Sequence, residues 1–105
     1  MVFDPSQWPF EWVHLIATSQ VIARPCYLHT ITINRPDPQA GARCDVYNVA
    51  AVGDIAPANL VASIAMDSAL FVVPSTLVYD VELDAGLYVA FLAGMTIGDI
   101  TINYK

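Results

Sequence analysis

TLVYDVELDAGLYVAFLAGMTIGDITINYK, residues 76–105, holds the most regular pattern in the chain. Leu77, Tyr79, Val81 and Leu83 fall on one parity, and Asp80, Glu82 and Asp84 fall on the other. A period of two with one apolar side marks a half-buried β-strand. Asp84-Ala85-Gly86 reads as a short turn with glycine supplied for a positive φ. An apolar strand over 87–93 follows, with Gly94 and Gly98 bracketing a second turn. Ile100, Ile102 and Tyr104 then alternate with Asp99, Thr101, Asn103 and Lys105 in a closing strand. The pattern predicts a three-stranded meander, dry on one face and wet on the other.

Outward from this segment the strand signals continue. Residues 60–65 and 69–73 read as short strands around an Asp67-Ser68 turn, and Pro74-Ser75 leads into the meander. Residues 43–49 form another strand, with Cys44 and Val46 alternating against Asp45 and Tyr47. Residues 26–34, CYLHTITIN, make a longer one; strict alternation puts Tyr27, His29, Ile31 and Ile33 on one face and Leu28, Thr30 and Thr32 on the other. The stretch 35–41, with two prolines and a glycine, is a loop. Over 11–23, Trp12, His14 and Ile16 alternate against Val13, Leu15 and Ala17, and Val21-Ile22 resumes after a polar break. That is two strand pieces, or one strand with a bulge. Seven or eight short strands separated by regular turn signals predict an all-β fold: a single-domain antiparallel β-sandwich, jelly-roll-like, over 11–105.

Residues 1–10 stand apart. Phe3, Trp8 and Phe10, with Trp12 just beyond, are four of eleven aromatics, and Pro5 and Pro9 exclude a helix. An extended aromatic N-terminal arm is expected, lying over its own sandwich or anchoring to a neighbouring subunit. Phe3, Trp8, Phe10 and Trp12 are the candidate subunit-interface residues, since aromatic rings give large contact area at small entropic cost.

Composition narrows the function classes. The chain has 105 residues, 56% of them hydrophobic and only 13% charged, about half the usual charged share. A surface so poor in charge predicts a homo-oligomer, a trimer or a higher symmetric ring. Ten acidic against four basic residues give a net charge of −6, which argues against a nucleic-acid surface and against anionic membranes. No apolar run approaches the ~20 residues of a membrane-spanning helix. The opening segment lacks the basic and apolar regions of a secretory signal, so synthesis in the cytoplasm is expected. Cys26 and Cys44 lie in different strands; a disulfide is geometrically conceivable, and two buried reduced thiols are the simpler reading.

Chemistry-bearing motifs are sparse. His14 and His29 have no metal-ligand spacing, and neither cysteine has a histidine at a motif interval. Asp80, Glu82 and Asp84 share a strand face with carboxylates about 6 to 7 Å apart. Such oxygens suit calcium, but one strand cannot converge the six to eight that the ion takes, so the trio reads as a solvated face. No cofactor, metal site or catalytic residue is assigned, and no enzymatic activity is expected. Trp8, Trp12, Tyr27, Tyr47 and Tyr88 would suit a glycan site if they gathered at one end of the sandwich.

The order of segments resembles small β-sandwich virion proteins of tailed phages and phage-like gene-transfer particles. The resemblance rests on Ile31-Thr32-Ile33-Asn34, Asp45-Val46-Tyr47-Asn48, the LxYDVxxxxGLYV-like stretch at 77–89, and Asp99-Ile100-Thr101-Ile102-Asn103-Tyr104. These pieces cover most of 26–105 and leave the arm outside. The resemblance implies a structural role on the head surface of a virion or phage-like particle, as a capsid decoration, head spike or fibre component. It carries over no catalytic residue. A lectin-like receptor-recognition module of such a particle is the alternative.

Overall fold

The computed structural model describes residues 10–67, 75–92 and 98–105, and these form eight β-strands with no α-helix among them. In chain order the strands are β1 (Glu11–Leu15), β2 (Ser19–Ile22), β3 (Cys26–Arg35), β4 (Arg43–Tyr47), β5 (Leu60–Ala65), β6 (Ser75–Leu83), β7 (Leu87–Leu92) and β8 (Asp99–Tyr104). Two 3-10 turns, Val52–Asp54 and Pro57–Asn59, join β4 to β5. The first sheet has the order β1-β8-β3-β6 and the second β2-β7-β4-β5. Every pairing is antiparallel, and four pairs are nested: β1 with β8, β2 with β7, β3 with β6, β4 with β5.

The sheets pack face to face through the apolar parity of each strand, as a β-sandwich. Leu15, Leu28, Ile31, Ile33, Leu83, Ile100 and Ile102 from the first sheet meet Cys44, Val46, Ile64, Leu87 and Val89 from the second in one buried cluster. The branched aliphatics suit this position, because a stiff χ1 stands well on a pleated, half-buried surface.

Three expectations change. The three C-terminal strands are not a meander: β6 and β8 lie in the first sheet without pairing each other, and β7 lies in the second. Alternation reports which face of a strand is dry and is silent on its neighbour. The faces of β3 are also reassigned. Leu28 joins Ile31 and Ile33 in the core at 0% exposure, because the register shifts between Leu28 and Thr30 against both β6 and β8. That irregularity sends His29 and Thr30 to the same outer side and reverses the parity. Gly86 is kept for space, since the left-handed glycine among the described residues is Gly41 at φ +78°. Residues 11–23 resolve as two strands in opposite sheets, β1 and β2. The apolar piece at 69–73 and the turn glycine Gly94 lie outside the described residues.

Polar side chains close both ends of the sandwich. At one end the Asn48 side chain accepts from the backbone N–H of Ala85 (2.9 Å) and Gly86 (3.3 Å) and donates to Asp84 (2.7 Å). Beside it, Gln20 Nε2 lies 2.9 Å from the carbonyls of Ile22 and Val49 and 3.1 Å from that of Leu87. At the other end buried Asp37 accepts from the N–H of Gln39 (2.9 Å) and Gly98 (3.0 Å), while its own N–H donates to the Met66 carbonyl. Buried loop backbone needs such partners.

Candidate functional site: the outer face of the first sheet

The residues of β1 that point away from the core are Trp12 and His14, and Phe10 just before the strand shares their parity. Cross-strand register aligns them with the outer residues of the rest of the sheet. Trp12 stands opposite Asn103, which stands opposite Thr30, which stands opposite Val78. The next row runs His14, Thr101, Thr32, Thr76. Neighbours in such rows sit close enough to interact directly. Asn103 donates to the Thr30 hydroxyl at 3.0 Å, and the hydroxyls of Thr32 and Thr76 are 2.9 Å apart.

Two histidine–carboxylate pairs tie the rows together. His14 Nε2 meets Asp99 at 2.5 Å, linking β1 to β8, and Asn34 donates to Asp99 (3.0 Å) and to Thr101 (2.9 Å) from β3. His29 Nδ1 hydrogen-bonds Asp80, linking β3 to β6. Asp80 holds a left-handed backbone at φ +49°, a conformation that aspartate tolerates better than most residues. Tyr79 and Asp80 both lie between Val81 and Val78, whose partners Leu28 and Thr30 are separated by His29 alone. The bulge therefore aims the carboxylate at the imidazole. Phe10 stacks on that imidazole, with ring centroids 4.4 Å apart and planes 13° apart, and lies 6.1 Å from the Tyr27 ring.

The hydrogen bond from His29, joined by one from Tyr27, holds the Asp80 carboxyl below its ordinary pKa. Partial burial alone would raise that of Asp99, but hydrogen bonds from Asn34 and His14 outweigh it, and the net direction is again down. Folded-state values below the unfolded ones mean that the unfolded chain takes up protons first as pH falls. The stabilisation is thus full above the ordinary aspartate range, about pH 4, and is lost as pH drops through the depressed folded values. Melting temperature measured from pH 5 downward is expected to fall, and Asp80→Asn with Asp99→Asn to flatten that fall. An unchanged slope in the double variant would remove the two pairs from the acid response.

An open cleft of about 440 Å³ adjoins this face, lined by Cys26, Tyr27, Glu82, Leu83, Asp84 and Lys105. Burial pushes the Cys26 thiol up, against a smaller lowering by Arg24. Cys44, deep between the sheets, is pushed up to about 12, first by burial and then by Asp45. Both cysteines are free. Among the described residues no group of three or more His, Cys, Asp or Glu is placed to hold a metal ion. Asp80, Glu82 and Asp84 are all exposed, with Asp80 engaged by His29 and Asp84 by Asn48.

Of the four interface candidates, Phe3 and Trp8 lie outside the described residues. Phe10 covers its own sheet, whereas Trp12, two residues on, leaves 69% of its surface in solvent. Of the aromatics suited to a glycan, Trp8 lies outside the described residues and the others do not gather: Trp12 and Tyr27 belong to the first sheet, and Tyr47 and Tyr88 face each other across β4 and β7 in the second. Sequence reasoning misses the two His–Asp pairs. Their separations of 85 and 51 residues leave no local signal, and only strand order brings them together. No family model, no curated protein and no solved structure matches this chain.

Proposed function

We propose that the protein is a structural subunit of a phage or phage-like particle, carried on the head as a decoration, spike-base or fibre-attachment protein and acting by subunit packing. The observation that carries this reading is Trp12. A tryptophan held on an edge strand, on a sheet face already ordered by cross-strand hydrogen bonds, offers a rigid anchor for a neighbouring subunit. Ile16 and Val78 are also largely exposed, at separate places on the same sheet face. The nested strand pairing is read as the order of a jelly roll, an architecture that viral capsid and lectin domains use; fold by itself assigns no function. Low charge supports the same reading, because assembly covers surface that an isolated subunit leaves wet.

Particles assembled with Trp12→Ala test it. Truncating a central aromatic anchor costs about 2 kcal/mol or more, roughly thirtyfold in affinity. The variant is expected to fold with an unchanged β-sheet spectrum and to sediment largely free of particles. Incorporation at the parent stoichiometry, counted by quantitative mass spectrometry of gradient-purified particles, would sink the proposal.

The row Trp12, Asn103, Thr30 favours a second reading, a glycan-recognition module of the particle. An exposed indole beside the half-buried Asn103 amide, itself held by the buried Thr30 hydroxyl, offers a sugar ring a stacking face and an adjacent polar group. A tryptophan-fluorescence titration flat across sugar classes counts against this alternative.

A further inference from the structure

Trp12 stands between two tethered neighbours of its own parity. Two residues on, His14 is held by Asp99 of β8 at 2.5 Å. Two residues back, Phe10 reaches across β8 to β3, where it stacks on His29 with centroids 4.4 Å apart and planes 13° apart. The strand would not fix the indole unaided. β1 is five residues long and, among the described residues, pairs with β8 alone. Its one buried residue is Leu15, at the far end, whereas Glu11 and Trp12 are exposed. A strand end with so little buried apolar contact opens readily. Phe10 supplies the contact that this end of β1 otherwise lacks.

A stack this close to parallel needs an imidazole whose plane is set. Asp80 sets it, because a carboxylate bonded to His29 Nδ1 fixes which nitrogen faces it and how the ring turns. Tyr27, beside the Phe10 ring, bonds the same carboxyl. The Asp80 backbone is left-handed at φ +49° and lies in the bulge of the β3–β6 ladder. A residue other than glycine keeps such a conformation only where its surroundings impose it, and such residues cluster at sites of function. The contacts from Asp80 through His29 to Phe10 run from β6 to the start of β1, across the whole width of the sheet.

We infer that Asp80 is a positioning residue: through His29 and Phe10 it holds the Trp12 indole in one orientation, pre-ordered for the neighbouring subunit. The inference rests on the reading of Trp12 as the anchor for that subunit. A side chain ordered on folding has no ordering cost left at the moment of contact, so a pre-ordered anchor binds more tightly than a mobile one.

Asp80→Gly removes the carboxylate and leaves the left-handed backbone available, while Asp80→Asn keeps an acceptor at the same place. Nitrogen-15 relaxation of the free chain reads the Trp12 backbone and indole N–H groups. Their order parameters are expected near about 0.85 in the parent and in Asp80→Asn, and below about 0.6 in Asp80→Gly, with the core amides of β3 and β8 rigid throughout. The apparent affinity of Asp80→Gly for particles should fall about tenfold, with Asp80→Asn restoring it. Phe10→Ala cuts the same run of contacts at its other end and decides the question even if Asp80→Gly fails to fold. A Trp12 as rigid as the parent's in either variant overturns the inference, as does an Asp80→Asn variant no more ordered than Asp80→Gly. A mobile Trp12 with parental incorporation, beside a Trp12→Ala variant that is excluded from particles, overturns it too and leaves the particle reading standing. Parental incorporation of Trp12→Ala overturns the particle reading itself, and the inference with it.

Discussion

Gly86→Ala is expected to lower the melting temperature by on the order of 10 °C or more, although the change adds a single methyl group. A Cβ at that position would sit 2.5 Å from the Val49 carbonyl oxygen, 2.7 Å from that of Ile22 and 3.1 Å from the Val49 carbonyl carbon. All three atoms are backbone, so no side chain can swing aside. The carbonyls of Ile22 and Val49 are both held by Gln20, and Asn48 pins the turn that carries Gly86. Overpacking typically costs about 1 to 3 kcal/mol, and the upper part of that range applies where backbone must move. For a domain near 100 residues each kcal/mol corresponds to about 4 to 8 °C. Gly53→Ala is the control, since its Cβ would meet nothing within 4 Å. Thermal unfolding followed by circular dichroism in which the two variants melt together would show that the 84–86 turn yields freely.

The reason for Gly86 shows what local pattern conveys and what it omits. A glycine after Asp84-Ala85 announces a turn, and the chain does turn there. That Ile22 and Val49 crowd the site follows only from β7 lying between β2 and β4 in the second sheet. The same division runs through the fold. The strand spans were legible because each apolar parity reports a dry face, and Leu60–Ala65 and Asp99–Tyr104 emerged at their read positions. Strand order was not legible, because β8 fits equally well beside any neighbour with a wet outer face. Parity itself failed in β3, where a bulge at His29 cannot be seen in CYLHTITIN.

The candidate site divides along the same line. Asp80 and Asp99 were readable as outward residues, since alternation against an apolar parity fixes side, whereas over 11–17 both parities carry large apolar residues and leave the side of Trp12 and His14 open. That His14 meets Asp99 and His29 meets Asp80 required the β1-β8-β3-β6 order and a left-handed Asp80, neither of which has a local signature. The acidic parity of β6 is more than a solvated face, because its bulged aspartate orients His29, and His29 seats Phe10. A ring anchored to its own sheet at Phe10 leaves Trp12, of the two described candidates, as the exposed one.

Ile102→Ala should be the most damaging single truncation in the core, and it should also show how the sheet is coupled. Ile102 is fully buried at the centre of β8, opposite Val13 in β1 and Ile31 in β3. Removing its outer carbons leaves a hole lined by neighbours on both flanks, and Ile→Ala changes at such sites cost about 2 to 5 kcal/mol. Against a total stability of about 5 to 15 kcal/mol for a domain, that is a large share. The melting temperature is expected to drop by about 8 to 40 °C, taking about 4 to 8 °C per kcal/mol. Ile31→Ala, equally buried, should cost a similar amount by itself. Because the two side chains face each other across one ladder, the double variant should lose less than the sum of the singles, since the second truncation enlarges a cavity already present. A denaturant-unfolding cycle measures that difference. Strict additivity would mean that Ile31 and Ile102 do not share a packing environment, which would contradict the β3–β8 register on which the outer rows of Asn103 with Thr30 and Thr101 with Thr32 also depend.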